Sequence, residues 1–198
     1  MLKQDVIRPS DSPWASNIVL VRKKDNTLRY CIDYRQVNSL SRKDAYPLPI
    51  IDVCLDALAG SAWYSTFDLK KSFHQIEMDS ASAEKTAFLC KKGLFKYNTM
   101  PFGLSNSGAT FQRAMDIILR GLSYDVCLAY LDDIIIYSAS IEEQLERLDI
   151  VLARFGQVGL KLKPSKCHLL RRKVTFYGHV VTANGIATDP ENTQKVRD

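Results

Sequence analysis

The stretch Val126-Cys127-Leu128-Ala129-Tyr130-Leu131-Asp132-Asp133-Ile134-Ile135-Ile136-Tyr137 holds two apolar, strand-like runs with only a pair of carboxylates between them. Such a pattern predicts a tight β-hairpin turning at Asp132-Asp133. Asp is a common turn residue, so a plain hairpin is the simplest account of the pair. Two adjacent carboxylates beside a core nevertheless need solvent, a partner or a cation.

Upstream, Trp63-Tyr64-Ser65-Thr66-Phe67-Asp68 is a second aromatic and β-branched run, and it also ends on a carboxylate. Neighbouring strand ends can meet in space, which makes Asp68 a candidate to join Asp132 and Asp133. Three converging Asp side chains supply hard oxygen ligands for Mg²⁺ and repel one another without a cation. Two such ions roughly 4 Å apart can activate an attacking hydroxyl and stabilise a leaving oxygen in phosphoryl transfer. Spacing alone does not bring Asp68 to Asp132.

Around these runs the pattern alternates irregularly between strand and helix. Ile18 to Val21 and Leu28 to Ile32 read as a hairpin turning at Asp25-Asn26. Pro49 to Ala59 has helical spacing, opened by a proline and closed by Gly60. Gln75 to Met78 and Thr86 to Thr99 are strand-like, with a turn at Lys92-Gly93. Phe111, Ala114, Met115, Ile118, Leu119 and Leu122 trace one helix face, with Ser105, Asn106 and Ser107 available as caps. A second helix opens on the capping pair Ser140 and Glu143, and Leu145, Leu148, Leu152 and Phe155 form its expected buried stripe. Gly159 can end it. Val174 to Tyr177 is strand-like. Without regular βαβ alternation, the expected class is α+β with a mainly antiparallel sheet.

Composition sets bounds on function. The 198 residues are 46% hydrophobic and 25% charged, enough for one large domain or two small lobes. No apolar run is long enough to cross a bilayer, and the start lacks the apolar stretch of a signal peptide, so an intracellular protein with no membrane partner is expected. Five dispersed cysteines read as reduced thiols, several of them core filler. Cys167, His168 and His179 match no standard zinc spacing. The net charge of +5 is modest, but Arg22, Lys23 and Lys24 cluster early. Lys161, Lys163, Lys166, Arg171, Arg172 and Lys173 crowd a late segment, either a solvated face or a phosphate-binding surface.

Tyr130-Leu131-Asp132-Asp133 with Ile134 to Ser138 resembles the Tyr-x-Asp-Asp signature of reverse transcriptases. Ser65 to Leu69 with Phe73-His74-Gln75-Ile76 resembles the first aspartate motif of that family. Met100 to Asn106 with Ala109-Thr110-Phe111-Gln112 is similar to the intervening motif of the gypsy-type lineage of long-terminal-repeat retrotransposons. Leu28 to Asn38, and Ile7 to Ser10 with Ser12 to Ser16, resemble fingers motifs. Gly159 to Leu162, Lys166-Cys167 and Phe176 to His179 are similar to the last palm motifs. The matches follow the family's order.

The resemblance implies the fingers and palm of a right-hand polymerase over residues 1–182, the palm a mainly antiparallel sheet backed by helices. A tail over 183–198 would lead toward a thumb, and nothing resembles thumb, connection or RNase H regions. The implied activity is RNA-directed DNA synthesis: a primer 3′-hydroxyl attacks the α-phosphate of a dNTP on an RNA or DNA template. Asp68, Asp132 and Asp133, with the Leu69 carbonyl, would hold two Mg²⁺, Mn²⁺ being a substitute. Arg29, Lys23 and Lys24 would grip the triphosphate. Lys71, Ser72, Phe73, Phe102 and Gly103 would shape the nucleotide pocket, the Phe73 ring excluding a ribose 2′-hydroxyl.

Phe102 stands where retroviral relatives usually have glutamine. Tyr130 and Leu131, with the primer grip Phe176-Tyr177-Gly178-His179, would contact primer and template, and Lys166 is a candidate acid for the leaving pyrophosphate. The cytoplasm or a retrotransposon particle is the expected location. The family pattern breaks at Ser72-Phe73 and Ser107-Gly108. A catalytically silent nucleic-acid-binding remnant and an RNA-templated RNA polymerase are the competing readings.

Overall fold

The computed structural model describes residues 1–22 and 26–188. In chain order its elements begin with β1 (Ile7–Pro9), β2 (Ile18–Arg22), β3 (Leu28–Ile32) and α1 (Arg35–Leu40). Next come α2 (Ile51–Ala57), β4 (Trp63–Asp68), α3 (Ser80–Ala83), β5 (Phe88–Cys90), β6 (Gly93–Tyr97) and α4 (Ser107–Ile118). The last are β7 (Cys127–Tyr130), β8 (Asp133–Ser138), α5 (Ile141–Val158), β9 (His168–Arg171), β10 (Lys173–Phe176), β11 (His179–Thr182) and β12 (Gly185–Thr188). Every ladder between these strands is antiparallel, the α+β layout expected from the sequence. The chain divides into two compact units, Met1–Tyr46 with Lys71–Phe111, and Pro47–Lys70 with Gln112–Asp198.

The first unit pairs β1, β6 and β5 in one sheet and β2 with β3 in a separate hairpin. Its core gathers Val6, Ile32, Tyr34, Val37, Phe88, Phe95 and Tyr97. Tyr34 is buried and its hydroxyl donates to the Thr86 carbonyl, so the one polar atom of a large core side chain is satisfied. Residues 75–78 are not the strand that their composition predicts. They follow a 3-10 turn over Ser72–Gln75 and make only an isolated bridge between Glu77 and Thr99.

Asn106 stands immediately before α4, and its carbonyl accepts from the Thr110 amide. Its side chain accepts from the Asp44 amide and donates to the Arg42 carbonyl, while the Ser107 hydroxyl donates to the Pro101 carbonyl. Asn106 and Ser107 therefore tie loops to the start of α4.

In the second unit β7, β8, β4 and β9 form a four-stranded sheet, and β10, β11 and β12 a smaller one. Strand β12 carries that small sheet beyond residue 182. Cys54, Leu58, Tyr64, Leu128, Ile135, Tyr137, Val174, Phe176 and Val181 form a shared core. Helix α5 opens as expected: the Ser140 hydroxyl accepts from the Glu143 amide, and Glu143 accepts from the Ala139 amide.

The face that α5 buries differs from the expected one. Leu145 is 53% and Leu152 42% exposed, whereas Gln144, Leu148, Val151 and Phe155 are buried. Gln144 explains the rotation. It accepts from the Ser138 hydroxyl and donates to the Ser65 hydroxyl and the Ile136 carbonyl, so the buried polar groups of β4 and β8 require it inside. No helix among the described residues is long and apolar enough to cross a membrane.

Candidate active site

The second unit builds its acidic centre from strand register. In the β4–β8 ladder Asp68 lies directly opposite Asp133, and the pairing runs without interruption back to Trp63 opposite Ser138. Opposed residues of an antiparallel pair share a face, with Cβ atoms about 4.5–5.5 Å apart. On the other side of β8, Tyr130 pairs with Asp133, which closes a two-residue turn at Leu131-Asp132. The turn thus falls one residue earlier than the sequence suggests, and Asp133 is the first residue of a strand. Asp68 and Asp133 are brought together by backbone, and Asp132 projects from the adjoining turn.

The electrostatics follow from this crowding. Asp133 still touches solvent, yet protein packed along its other side strips water from the carboxyl and raises its pKa. The charges of Asp132 and Asp68 push the same way, and only the Lys166 ammonium opposes them. Lys166 Nζ donates to Asp68 Oδ2 at 2.7 Å. That bond is the main reason the lysine's own pKa is raised.

As placed, no three His, Cys, Asp or Glu side chains among the described residues form a metal-holding cluster. The donor set still suits a hard divalent cation: neighbouring carboxylates, one with its charged form disfavoured, and the Lys166 ammonium drawn onto another.

Leu69 is buried and bridges Leu162. The hydrogen bonds of that bridge run from the Lys70 amide to the Lys161 carbonyl and from the Lys163 amide to the Asp68 carbonyl. They flank Leu69, so its own carbonyl takes no part in this ladder. The basic segment from Lys161 to Lys173 is largely solvent-facing, Lys166 included, whose ammonium reaches across to Asp68.

Leu131 has φ of 53°, a left-handed conformation costly for a branched side chain. Its amide donates to Gln112 Oε1 at 2.8 Å. Gln112, from α4, is fully buried, and its Nε2 donates to the Ala129 carbonyl and to Asp116 Oδ1. One side chain therefore grips both the strand before the acidic turn and the turn itself. Sequence reading gave Gln112 no role. A polar residue beside the buried stripe of Phe111, Met115 and Leu119 was the available signal.

The residues expected to contact the primer form a second tight hairpin. Phe176 pairs with His179, and Tyr177 and Gly178 have φ of 52° and 74°. Two positive φ values in a two-residue loop fit the twist of the flanking strands, and Gly178 meets that need without strain. The Tyr177 ring packs on Tyr130 with centroids 4.0 Å apart, which joins this hairpin to the acidic one. His179 Nδ1 lies 3.1 Å from the Tyr177 carbonyl, and the Phe176 side chain is core. A cavity of about 430 Å³ is lined by Asp68, Asp133, Lys166, Phe176, Tyr177 and Gly178.

The residues expected to handle nucleotide lie in the first unit. Lys23 and Lys24 fall outside the described residues. Arg29, on β3, is solvent-facing, and its guanidinium sits over the Phe102 ring, 5.6 Å from the centroid. Phe73 packs against Phe102 at 4.8 Å and Phe111 at 5.3 Å. Ser72 is buried, and Lys71 donates to Gln4 Oε1. Asn38 pins the Phe102–Gly103 loop by donating to the Gly103 carbonyl and accepting from the Ser105 amide.

Comparison with known proteins defines the class. A solved structure of foamy viral protease-reverse transcriptase in complex with ds DNA matches with a TM-score of 0.91 at 27% identity, over 100% of this chain and 34% of that one. The same viral protein with an RNA/DNA hybrid gives a TM-score of 0.89 at 27% identity, over 100% of this chain and 26% of that one. The fold is that of the right-hand polymerases.

Sequence relatives narrow it further. The chain is 46% identical over 195 residues to the retrovirus-related Pol polyprotein from transposon 297 of Drosophila melanogaster, covering 96% of this chain and 18% of that protein. It is 32% identical over 204 residues to the corresponding polyprotein from transposon gypsy of the same fly, covering 100% of this chain and 20% of that protein. Residues 21–181 match the family described as reverse transcriptase (RNA-dependent DNA polymerase), and the chain belongs to that family. It spans about a fifth of the length of these curated relatives.

Proposed function

We propose that this chain is the fingers–palm portion of an RNA-directed DNA polymerase, joining a dNTP to a primer 3′-hydroxyl on an RNA or DNA template. One observation carries the reading: the unbroken β4–β8 register that sets Asp68 opposite Asp133, beside the turn bearing Asp132. Asp68, Asp132 and Asp133, with the Leu69 carbonyl, would hold two Mg²⁺, or Mn²⁺ in their place. Ions held there supply Lewis acidity and charge neutralisation at the reacting phosphate.

The chain's own residues do the rest. The Asp carboxylates orient the site, and their mutual repulsion favours whatever cation they can share. Lys166, once drawn off Asp68, carries a proton within reach of the same cavity and can give it to a leaving phosphate oxygen. Arg29, with Lys23 and Lys24, grips the triphosphate. Lys71, Ser72, Phe73, Phe102 and Gly103 shape the nucleotide pocket, Phe73 against the sugar. The hairpin Phe176 to His179, braced on Tyr130, steers the primer end. Relatives solved with ds DNA and with an RNA/DNA hybrid support nucleic acid as the partner. The exposed basic segment supports backbone contacts that tolerate any sequence. Residues 1–182 would make up this catalytic portion, working in the cytoplasm or a retrotransposon particle.

The test is primer extension on poly(rA)/oligo(dT) with Mg²⁺ or Mn²⁺, comparing the chain with Asp132→Asn. Extension by the wild-type chain and none by the variant is expected. No extension by either, with duplex binding kept, favours the silent remnant. Equal use of rNTPs and dNTPs favours an RNA polymerase.

A further inference from the structure

Strand β9 meets β4 out of step. Tyr64 pairs with Arg171 and Thr66 with His168, so Ser65 alone stands against two residues, Leu169 and Leu170. Such a bulge adds one residue to one strand and re-aims whatever follows it. Leu170 takes a φ of 52°, costly for a branched side chain, and both leucines face solvent, so apolar packing does not hold the bulge in place. A polar tie does. The Ser65 hydroxyl, wholly buried, accepts from the Leu170 amide at 3.1 Å and from Gln144 Nε2 at 3.0 Å. Gln144 is itself buried and bonded to the Ser138 hydroxyl and the Ile136 carbonyl, so the tie reaches back to α5 and β8.

The extra residue decides which side chain reaches the acidic centre. Two steps on from the Thr66–His168 pair, the count sets Asp68 level with Lys166. Carried on from the Tyr64–Arg171 pair without a bulge, the same count would set Asp68 level with Cys167 and turn Lys166 to the other face. The backbone leaves the ladder there in a 3-10 turn over Pro164–Lys166, and the Lys166 ammonium closes on Asp68 Oδ2 at 2.7 Å. We infer that Ser65 is a positioning residue: its hydroxyl, steadied by Gln144, holds the Leu170 bulge and so delivers Lys166, rather than Cys167, to Asp68. The inference deepens the polymerase reading, and its catalytic half rests on that reading while its register half does not.

The Lys166 ammonium gives a direct readout in EDTA, where no divalent ion takes part. Held on a carboxylate, its protons exchange slowly enough to give a proton–nitrogen cross-peak, which Lys166→Arg identifies by its loss. Ser65→Ala removes the acceptor, the bulge is expected to slip, and the Lys166 cross-peak should disappear. On poly(rA)/oligo(dT), kcat should fall about ten- to a hundredfold while the KM for dTTP stays within about twofold, since only delivery of the acid is lost. Deleting Leu170 in the Ser65→Ala background removes the residue that needed the tie. An unbroken ladder from Tyr64–Arg171 then still sets Lys166 level with Asp68, so the cross-peak and most of kcat should return. Ser138→Ala is the control: it takes a hydroxyl from the same buried network without touching Leu170, so it should melt early and keep the Lys166 cross-peak.

A Ser65→Ala protein that folds and keeps both the cross-peak and kcat overturns the inference. So does a wild-type chain with no Lys166 cross-peak, or a Leu170 deletion that leaves the Ser65→Ala defect in place. Should Ser65→Ala fail to fold, the deletion variant decides: a folded protein with the cross-peak supports the bulge as the reason for Ser65, and a second failure to fold counts against it. If the wild-type chain extends no primer while the cross-peak still depends on Ser65, the polymerase reading fails and the register role of Ser65 stands.

Discussion

Replacing Gln112 with leucine should loosen the acidic turn more than the size of the change suggests. The variant keeps similar bulk but leaves the Leu131 amide and the Ala129 carbonyl without the partner they have now, and takes a donor from Asp116. An unmet buried donor or acceptor costs about 1–3 kcal/mol, so with partial relief from the added apolar surface the net loss is roughly 2–4 kcal/mol. In a chain of this size that lowers Tm by on the order of 10 °C. The second effect is local. Leu131 is held at φ of 53° with Gln112 bonded to its amide, and a residue of that kind gains about 1–2 kcal/mol by leaving the left-handed region. The turn is then expected to relax and carry Asp132 with it.

Thermal melting together with amide hydrogen exchange at Leu131 reads both effects. Gln112→Glu is the control, because it keeps an acceptor for Leu131 while placing a second carboxylate beside Asp116: it should melt early yet keep Leu131 protected. A Gln112→Leu protein that melts within about 2 °C of wild type and protects Leu131 equally well would refute the reasoning.

Two further outcomes follow from the same geometry. Asp133 has a pKa raised above the ordinary 3.8, so the folded chain holds that proton more tightly than the unfolded chain. Stability is therefore lost as pH rises through the window between the two values and stays lost above it. In EDTA at pH 7 Asp133→Asn should have the higher urea midpoint, the two proteins should converge as pH falls below the raised pKa, and Mg²⁺ should narrow the gap; an Asn variant no more stable at pH 7 counts against the crowding. Gly178→Ala should cost about 1–2 kcal/mol in a denaturant titration, because the turn needs φ of 74° there, and a neutral substitution would mean the hairpin reshapes freely.

Much of the architecture could be read locally. The run from Trp63 to Asp68 is the strand its aromatic and β-branched residues predict, and the Ser140–Glu143 pair opens a helix as its spacing requires. What local pattern missed depends on partners distant in the chain. Leucines at 145 and 152 have helical spacing, but Gln144 is drawn inward by Ser65 and Ser138, and the helix turns accordingly. The acidic turn sits at Leu131-Asp132 because the Asp68–Asp133 pairing claims Asp133 for the sheet. Gln112 was quoted within a motif but had no evident task until its contact with Leu131 was visible. The carboxylates themselves were legible, since strand ends are the one place where an acidic residue can follow a core run and still meet another.

The join between Asp68 and Asp133 has a consequence for how this sequence can change over generations. Their meeting depends on a count of residues along two strands rather than on any particular side chain between them. Many substitutions along 63–67 would leave that count intact. Removing a single codon there would send the first carboxylate to the opposite face of the sheet. Such a lineage should drift in letters while hardly ever changing length across this stretch.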